Sequence, residues 1–315
     1  MKSLQFTNGN TMPAIGLGTW KAKGEKVKNA VIAAIKMGYR HIDTAAIYGN
    51  EEAIGEALQQ LFRGNIITRK ELFITSKLWN DAHHPDDVGP ALKDSLQKLQ
   101  LDYLDLYLMH WPVAFKKGVP MPSDASDYVS LTEIPLWITW EKMVETKKEG
   151  LAKHIGVSNF SQKKLKDLLE HSKEVPEVNQ IELHPLLQQK ELIKFCKQHE
   201  ILVTAYSPLG SGDRSDAMKA PNEPNLFDLD EIKKIAQKHG VHPAQVLIHW
   251  HLQRGTSVIP KSVTPKNMQS NLEASSLLLD EEDVKMIDGL DRHYRFVTGN
   301  FFLRPEKGYH TIYDE

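Results

Sequence analysis

A chain of 315 residues with 41% hydrophobic and 25% charged side chains is neither disordered nor fibrous, and its length suits one α/β barrel domain over residues 1–315. Against 39 basic residues stand 41 acidic ones, so the net charge of -2 offers no electrostatic grip on nucleic acid or an anionic membrane surface. The single cysteine, Cys196, excludes an internal disulfide, no apolar stretch approaches the roughly 20 residues of a membrane span, and the start Met1 to Phe6 lacks the apolar core of a secretion signal. A cytoplasmic protein working as a monomer is expected.

The first predicted element is a hairpin. Residues 4–7 and 12–15 flank Asn8-Gly9, the dipeptide that favours a two-residue type I′ turn, and the hairpin is placed as a plug at the bottom of the barrel. Short apolar runs then alternate with longer amphipathic segments, the pattern of parallel strands covered by crossover helices. Strand-like runs fall at 14–18, 40–43, 72–77, 104–110, 154–158, 178–181, 202–206 and 257–259. Helix-like segments fall at 25–37, 51–62, 85–99, 135–148, 162–171, 188–199, 229–240 and 265–272. Their starts carry helix signals: Ser161 precedes one amphipathic run, and Pro85 and Pro265 open two others. Eight alternations with no Pro/Gly/Ser linker predict a closed (β/α)8 barrel. Three segments are too long for plain connectors, namely 113–134, 211–228 and the aromatic-rich tail after Asp291; long loops in compact domains act as lids or clamps.

Most of the strand-like runs end in a polar residue that a buried apolar strand would not choose by itself. The ends are Asp43, Lys77 and His110, then Ser158-Asn159, Gln180 and Tyr206-Ser207. In a parallel barrel all strand C-termini share one face, where barrel active sites are built, so these groups converge on one mouth. A lone Asp, Lys or His here would read equally well as a structural ion pair; the accumulation favours a site. Lys77 beside Asp43 should stay charged and should lower the pKa of a neighbouring phenol, and Tyr48, in the loop after Asp43, is the available one. Asp43, Tyr48, Lys77 and His110 thus form a proton-transfer set. Asn159 and Gln180 with Tyr206 suit a flat, amide-bearing ring such as nicotinamide. Gly16-Leu17-Gly18 lacks the third glycine of a Rossmann fingerprint, so a dinucleotide would lie across the barrel. Its phosphates would meet 207–213, which carries Ser207, Leu209, Ser211 and Asp213, and 260–264, where Lys261, Ser262, Val263 and Thr264 lead into a proline-started helix.

At these residues the chain resembles the aldo-keto reductase superfamily. The resemblance rests on Gly38-Tyr39-Arg40-His41-Ile42-Asp43-Thr44-Ala45, on Tyr48-Gly49-Asn50-Glu51 with Ile54-Gly55, and on Ile259-Pro260-Lys261-Ser262-Val263-Thr264-Pro265. It implies hydride transfer from NADPH to a small-molecule carbonyl, with Tyr48 protonating the oxygen, Lys77 and Asp43 tuning Tyr48, and His110 orienting the carbonyl. It also implies that Thr19, Trp20 and Lys21 belong to the cofactor site, with Lys21 latching onto Asp213. Ser158, Asn159 and Gln180 would hold the carboxamide, with Tyr206 stacked on the ring and Asn271 meeting the adenine. One departure bears on the cofactor: Asn267 and Ser270 stand where many NADPH-specific members carry an arginine and an acidic residue. The 2′-phosphate then lacks a planar bidentate cation; Lys261 and Lys266 keep NADP favoured while leaving NAD use open. Trp20, Ile47, Trp79, His110 and Trp111 are implied substrate walls.

The remaining features read as structural. His83-His84 and His249-Trp250-His251 lack carboxylate or cysteine partners at metal spacing, so no metal is expected. Trp140, Trp250 and Cys196 read as packing, and the Lys147-Lys148 and Lys163-Lys164 pairs as solvated helix faces. Two rival functions fit the same residues: a Schiff-base lyase using Lys77, and a non-catalytic, nicotinamide-binding redox-sensing subunit.

Overall fold

The computed structural model describes residues 2–215 and 219–314; positions 216–218 of the long 211–228 segment lie outside the described residues. Two short antiparallel strands, β1 (Ser3–Gln5) and β2 (Thr11–Pro13), precede the main sheet. Their turn differs from expectation. The Phe6 carbonyl accepts from Gly9 N–H, Phe6 N–H donates to the Asn10 carbonyl, and only Gly9 has positive φ. A type I′ turn needs positive φ at Asn8 as well; here Gly9 alone takes the left-handed position at the end of a longer loop. The placement as a plug holds: Phe6 and Met12 pack with Phe73, Leu106, Leu108 and Val178, and Phe6 stacks on His154 at 3.7 Å.

From there the chain runs through β3 (Leu17–Gly18), α1 (Gly24–Met37), β4 (His41–Asp43), α2 (Glu51–Arg63), β5 (Phe73–Leu78), α3 (Pro85–Leu99) and β6 (Leu104–Met109). A small ribbon, β7 (Ala114–Phe115) and β8 (Tyr128–Val129), interrupts the alternation before α4 (Leu136–Lys148), β9 (Ala152–Ser158), α5 (Gln162–His171), β10 (Val178–Glu182), α6 (Lys190–Gln198) and β11 (Leu202–Tyr206). Next come α7 (Asp230–His239), α8 (Pro243–Gln253), β12 (Ser257–Val258), α9 (Pro265–Glu273) and α10 (Glu281–Asp288). All eight strand-like runs are strands of one parallel sheet, in the order β12-β11-β10-β9-β6-β5-β4-β3. Parallel bridges Ile15 to Val258 and Gly18 to Lys261 join its first and last strands, closing the (β/α)8 barrel. At this seam a Cβ on Gly18 would sit 2.5 Å from the Ile259 carbonyl oxygen, so the close approach requires glycine.

The helices bury the stripes their sequences carry. In α1 the buried residues Val27, Ala30, Val31, Ala34 and Ile35 recur at helical spacing. Pro85 opens α3 with Asp86 and Asp87 in its first turn, and Ser161 caps α5 by accepting from Lys164 N–H. Trp140, Trp250 and Cys196 are fully buried, as read from sequence. Two helices go beyond the expected eight. In α8 both faces are buried, so apolar and polar positions show no contrast, and α10 is a single short segment of 8 residues. No helix among the described residues is long and apolar enough to cross a membrane.

Candidate active site

The strand C-termini gather the polar residues as expected. Lys77, at the end of β5, is fully buried, and its three ammonium protons have three acceptors: Asp43 Oδ1 at 2.6 Å, the Thr44 carbonyl at 2.8 Å and the Tyr48 hydroxyl at 3.5 Å. The other carboxylate oxygen, Asp43 Oδ2, accepts from Gln180 Nε2 at 2.8 Å, across the barrel from β10. Burial alone would depress the Lys77 ammonium; attraction to Asp43 and the bonds to Asp43 and Tyr48 outweigh it, and its pKa rises. Lys77 is therefore charged at neutral pH.

Tyr48 ends a single 3-10 turn, Ala46–Tyr48, that leaves β4 and stops at Gly49 in the left-handed region. Its hydroxyl does not follow the expected downward tuning. Burial raises the phenol above its ordinary value, Lys77 opposes the rise, and Asp43 adds to it. The Lys77 contact is the longest of the three that ammonium makes, which fits a partial compensation. Tyr48 is thus protonated at neutral pH. His110, following β6, meets the Tyr48 ring edge-on at 5.8 Å and Trp79 at 5.2 Å. Burial, reinforced by the Lys77 charge, holds its pKa well below the usual imidazole value. The ring is neutral, and its Nδ1 is buried with no hydrogen-bond partner.

A second network fixes the amides. Asn159, at φ 64°, donates from Nδ2 to the His110 carbonyl (3.0 Å) and to Ser158 Oγ (3.2 Å), and accepts on Oδ1 from the Tyr206 hydroxyl at 2.7 Å. Ser158 Oγ donates to the Gln180 carbonyl at 2.8 Å. With Gln180 Nε2 committed to Asp43, Gln180 Oε1 is the acceptor left over for a ligand. One positioning residue escaped the sequence reading. Asn50 accepts from Thr44 Oγ1 and donates to the Thr19 and Ala22 carbonyls, pinning the loop after β3 to the loop after β4. Thr19 Oγ1 in turn donates to the Asp43 carbonyl at 2.9 Å.

These groups open into one cleft of about 1380 Å³. Of the residues singled out from sequence, Lys77 lies beneath its floor and Lys21 reaches it through Asp213; the others line it. Lys21 Nζ is 3.0 Å from Asp213 Oδ1 and Lys261 Nζ 3.2 Å from Oδ2, so Asp213 bridges the 207–213 stretch to both rims. Lys21 also lies 4.0 Å over the half-exposed Trp20 ring. Beyond Asp213 the cleft passes Ser262, whose hydroxyl accepts from Thr264 N–H, then Val263, Asn267 in the first turn of α9 and the buried Asn271 in its last. At the opposite end Trp20, Ile47, Trp79 and Trp111 form the walls. Sequence did not assign their covering residues: Phe302 packs on Trp111 at 5.2 Å and on Trp79 at 6.3 Å, Phe301 on Trp111 at 6.0 Å, and Phe296, Val297 and Met121 complete the rim.

A parallel barrel whose strand ends hold an Asp-Lys-Tyr-His set under a long cleft defines a barrel enzyme acting on a small molecule. The chain belongs to the aldo/keto reductase family, whose model matches residues 14–292. It is 48% identical to an aldo/keto reductase of Synechocystis, over all of this chain and 97% of that protein. It is 46% identical to aldo-keto reductase family 1 member A1 of Bos taurus, over 92% of this chain and 89% of the relative, and equally to the A1-A member of Danio rerio over 94% and 91%. It is an oxidoreductase of the class that reduces carbonyl compounds.

Proposed function

We propose that this chain reduces aldehydes, and with them ketones or open-chain sugars, to alcohols with NADPH, Tyr48 serving as the proton donor. The observation that carries the reading is the meeting of the Tyr48 hydroxyl, the Lys77 ammonium and the neutral His110 ring at one end of a cleft whose other end holds Lys261.

The residues present fit a nicotinamide dinucleotide. A cleft of about 1380 Å³ exceeds the roughly 300–1,000 Å³ of a site for one small ligand. Lys261, Lys266, Ser262 and Thr264 at the N-terminus of α9 suit phosphate groups; Gln180 Oε1 suits a carboxamide NH2, and the Tyr206 ring offers a stacking face. When bound, the dinucleotide supplies the hydride. Tyr48 gives its proton to the carbonyl oxygen, and the phenolate left behind is stabilised by Lys77, whose charge Asp43 secures. His110, neutral, orients the carbonyl by hydrogen bonding, and the indole walls exclude water. Asn267 and Ser270 line the adenosine end without charge, so NAD is a second, weaker coenzyme. The same reading takes residues 1–315 as a single-domain cytoplasmic monomer without a metal.

A Schiff base on Lys77 is disfavoured, because the amine is fully buried with all three protons committed. The test is Tyr48→Phe: turnover should fall by about 10² or more while dinucleotide binding persists. Near-normal turnover would remove Tyr48 from the mechanism. Absence of any aldehyde turnover by the unmodified protein with either coenzyme would leave the binding-subunit reading in its place.

A further inference from the structure

Phe296, on the rim that covers the carbonyl end of the cleft, is gripped from two sides by buried charges. On one side Glu182, at the end of β10 and fully buried, accepts from Phe296 N–H at 2.6 Å through Oε1 and from Val297 N–H at 2.8 Å through Oε2. His184 Nε2 holds the same carboxylate at 2.9 Å, and its ring packs against Phe296 at 4.7 Å. On the other side Arg214, 4% exposed, donates from Nη1 to the Phe296 carbonyl and from Nε to the Ser211 carbonyl, and pairs with Glu223. Glu223 also shares a hydrogen bond with the Tyr294 hydroxyl.

Arg214 directly follows Asp213, the carboxylate that Lys21 and Lys261 hold over the phosphate end. One guanidinium therefore ties the strap over the coenzyme end to the segment over the carbonyl end. Its planar fork suits the task, because it meets several acceptors at fixed angles. A buried ion of this kind is a poor source of stability and is better explained as a device that fixes one arrangement.

We propose that Arg214 is a positioning residue that couples the two halves of the cleft: seating of the strap on a dinucleotide sets the place of Phe296 and Val297, and with it the affinity for the carbonyl compound. The inference rests on the proposed use of a nicotinamide coenzyme. By linkage the coupling is reciprocal, so a carbonyl ligand must tighten dinucleotide binding by the same factor.

The experiment uses NADP+ and benzaldehyde, a pair with no hydride to pass, and measures the NADP+ Kd with and without saturating aldehyde. The unmodified protein should show tightening of about fivefold or more, and Arg214→Met should bring the factor to about one. Phe296→Ala keeps the backbone carbonyl that Arg214 holds but removes the ring whose place the strap sets, so it should raise the aldehyde KM and lower the factor while leaving the NADP+ Kd without aldehyde unchanged. If Arg214→Met does not fold, Arg214→Lys retains the buried charge but has no planar fork, and the factor should likewise fall. An unchanged factor in the Arg214 variants, or no tightening in the unmodified protein, overturns the coupling. Failure of the unmodified protein to bind NADP+ at all overturns the coenzyme reading, and the coupling with it.

Discussion

Asp43→Asn isolates the charge at the centre of the site. The substitution is isosteric, and Gln180 can turn its amide to present Oε1, so shape and hydrogen bonding to β10 are retained. What disappears is the negative charge 2.6 Å from an ammonium with no solvent exposure. Removing one partner of such a pair costs about 3–5 kcal/mol, because the remaining ion stays buried without compensation. The pH dependence supplies the sharper test. In the unmodified protein the Lys77 pKa is raised, so its contribution to stability is fully present below the unfolded lysine value of about 10.4 and is lost as pH rises through the higher folded value. In the variant burial dominates and the folded pKa drops below the unfolded one. The native state then binds fewer protons than the unfolded state, and stability climbs with pH up to about 10.4. Urea denaturation at intervals from pH 7 to 10 measures both curves. A loss under about 1 kcal/mol at pH 7, or two curves running parallel across that range, would refute the claim that Asp43 is what keeps Lys77 charged.

Two further outcomes test the ends of the cleft. Lys261→Ala removes a cation from the phosphate end and one of the two lysines on Asp213, and should raise the NADPH Kd by about tenfold while changing the NADH Kd by about threefold or less; equal losses would show that Lys261 does not read the extra phosphate. His110 is held neutral because burial keeps its pKa well below the usual value, so kcat/KM should show no inflection near pH 6.5; a break there that vanishes in His110→Gln would mean the imidazolium takes part.

How far the sequence could be read depends on which contrasts burial leaves visible. Parallel strands covered on both faces are mainly apolar, so Asp43, Lys77 and His110 at or just past their ends, and Gln180 within β10, stand out against Leu106 or Ile181. All eight strands and the gathering of Asp43, Lys77 and His110 at one rim were legible for that reason, while Tyr48, in the 3-10 turn after β4, was picked out as the phenol nearest to them. Where burial removes the contrast the reading fails: α8 carries Val246, Leu247, Ile248, Trp250 and Leu252 around its circumference and shows no polar face. Asn50, Glu182 and Arg214 were missed for a different reason. Their partners are backbone groups of distant segments, and a carbonyl or an amide leaves no mark on the sequence. Tyr48 shows a third limit. That Lys77 is its neighbour could be foreseen, but the balance between that charge and the burial of the phenol depends on geometry, and burial wins.

The interlocking of these groups explains why so many polar residues surround so little chemistry. On the proposed mechanism only the Tyr48 hydroxyl and the His110 ring touch a carbonyl, yet each sits among partners that would be costly alone. Lys77 requires Asp43, the second Asp43 oxygen requires Gln180, and the Asn159 amide is shared among His110, Ser158 and Tyr206. A buried polar group without a partner costs about 1–3 kcal/mol, so deleting any one member penalises the member it served. The network spans β4, β5, β9, β10 and β11, and a closed barrel brings all five strand ends to one rim. Closure at Gly18 and Lys261 does two things at once: it completes the sheet, and it carries Lys261 to the rim that Asp213 and Lys21 share. The seam of the barrel and the Lys261 end of the cleft are therefore the same piece of structure, and a side chain at Gly18, set against the Ile259 carbonyl, would disturb both together.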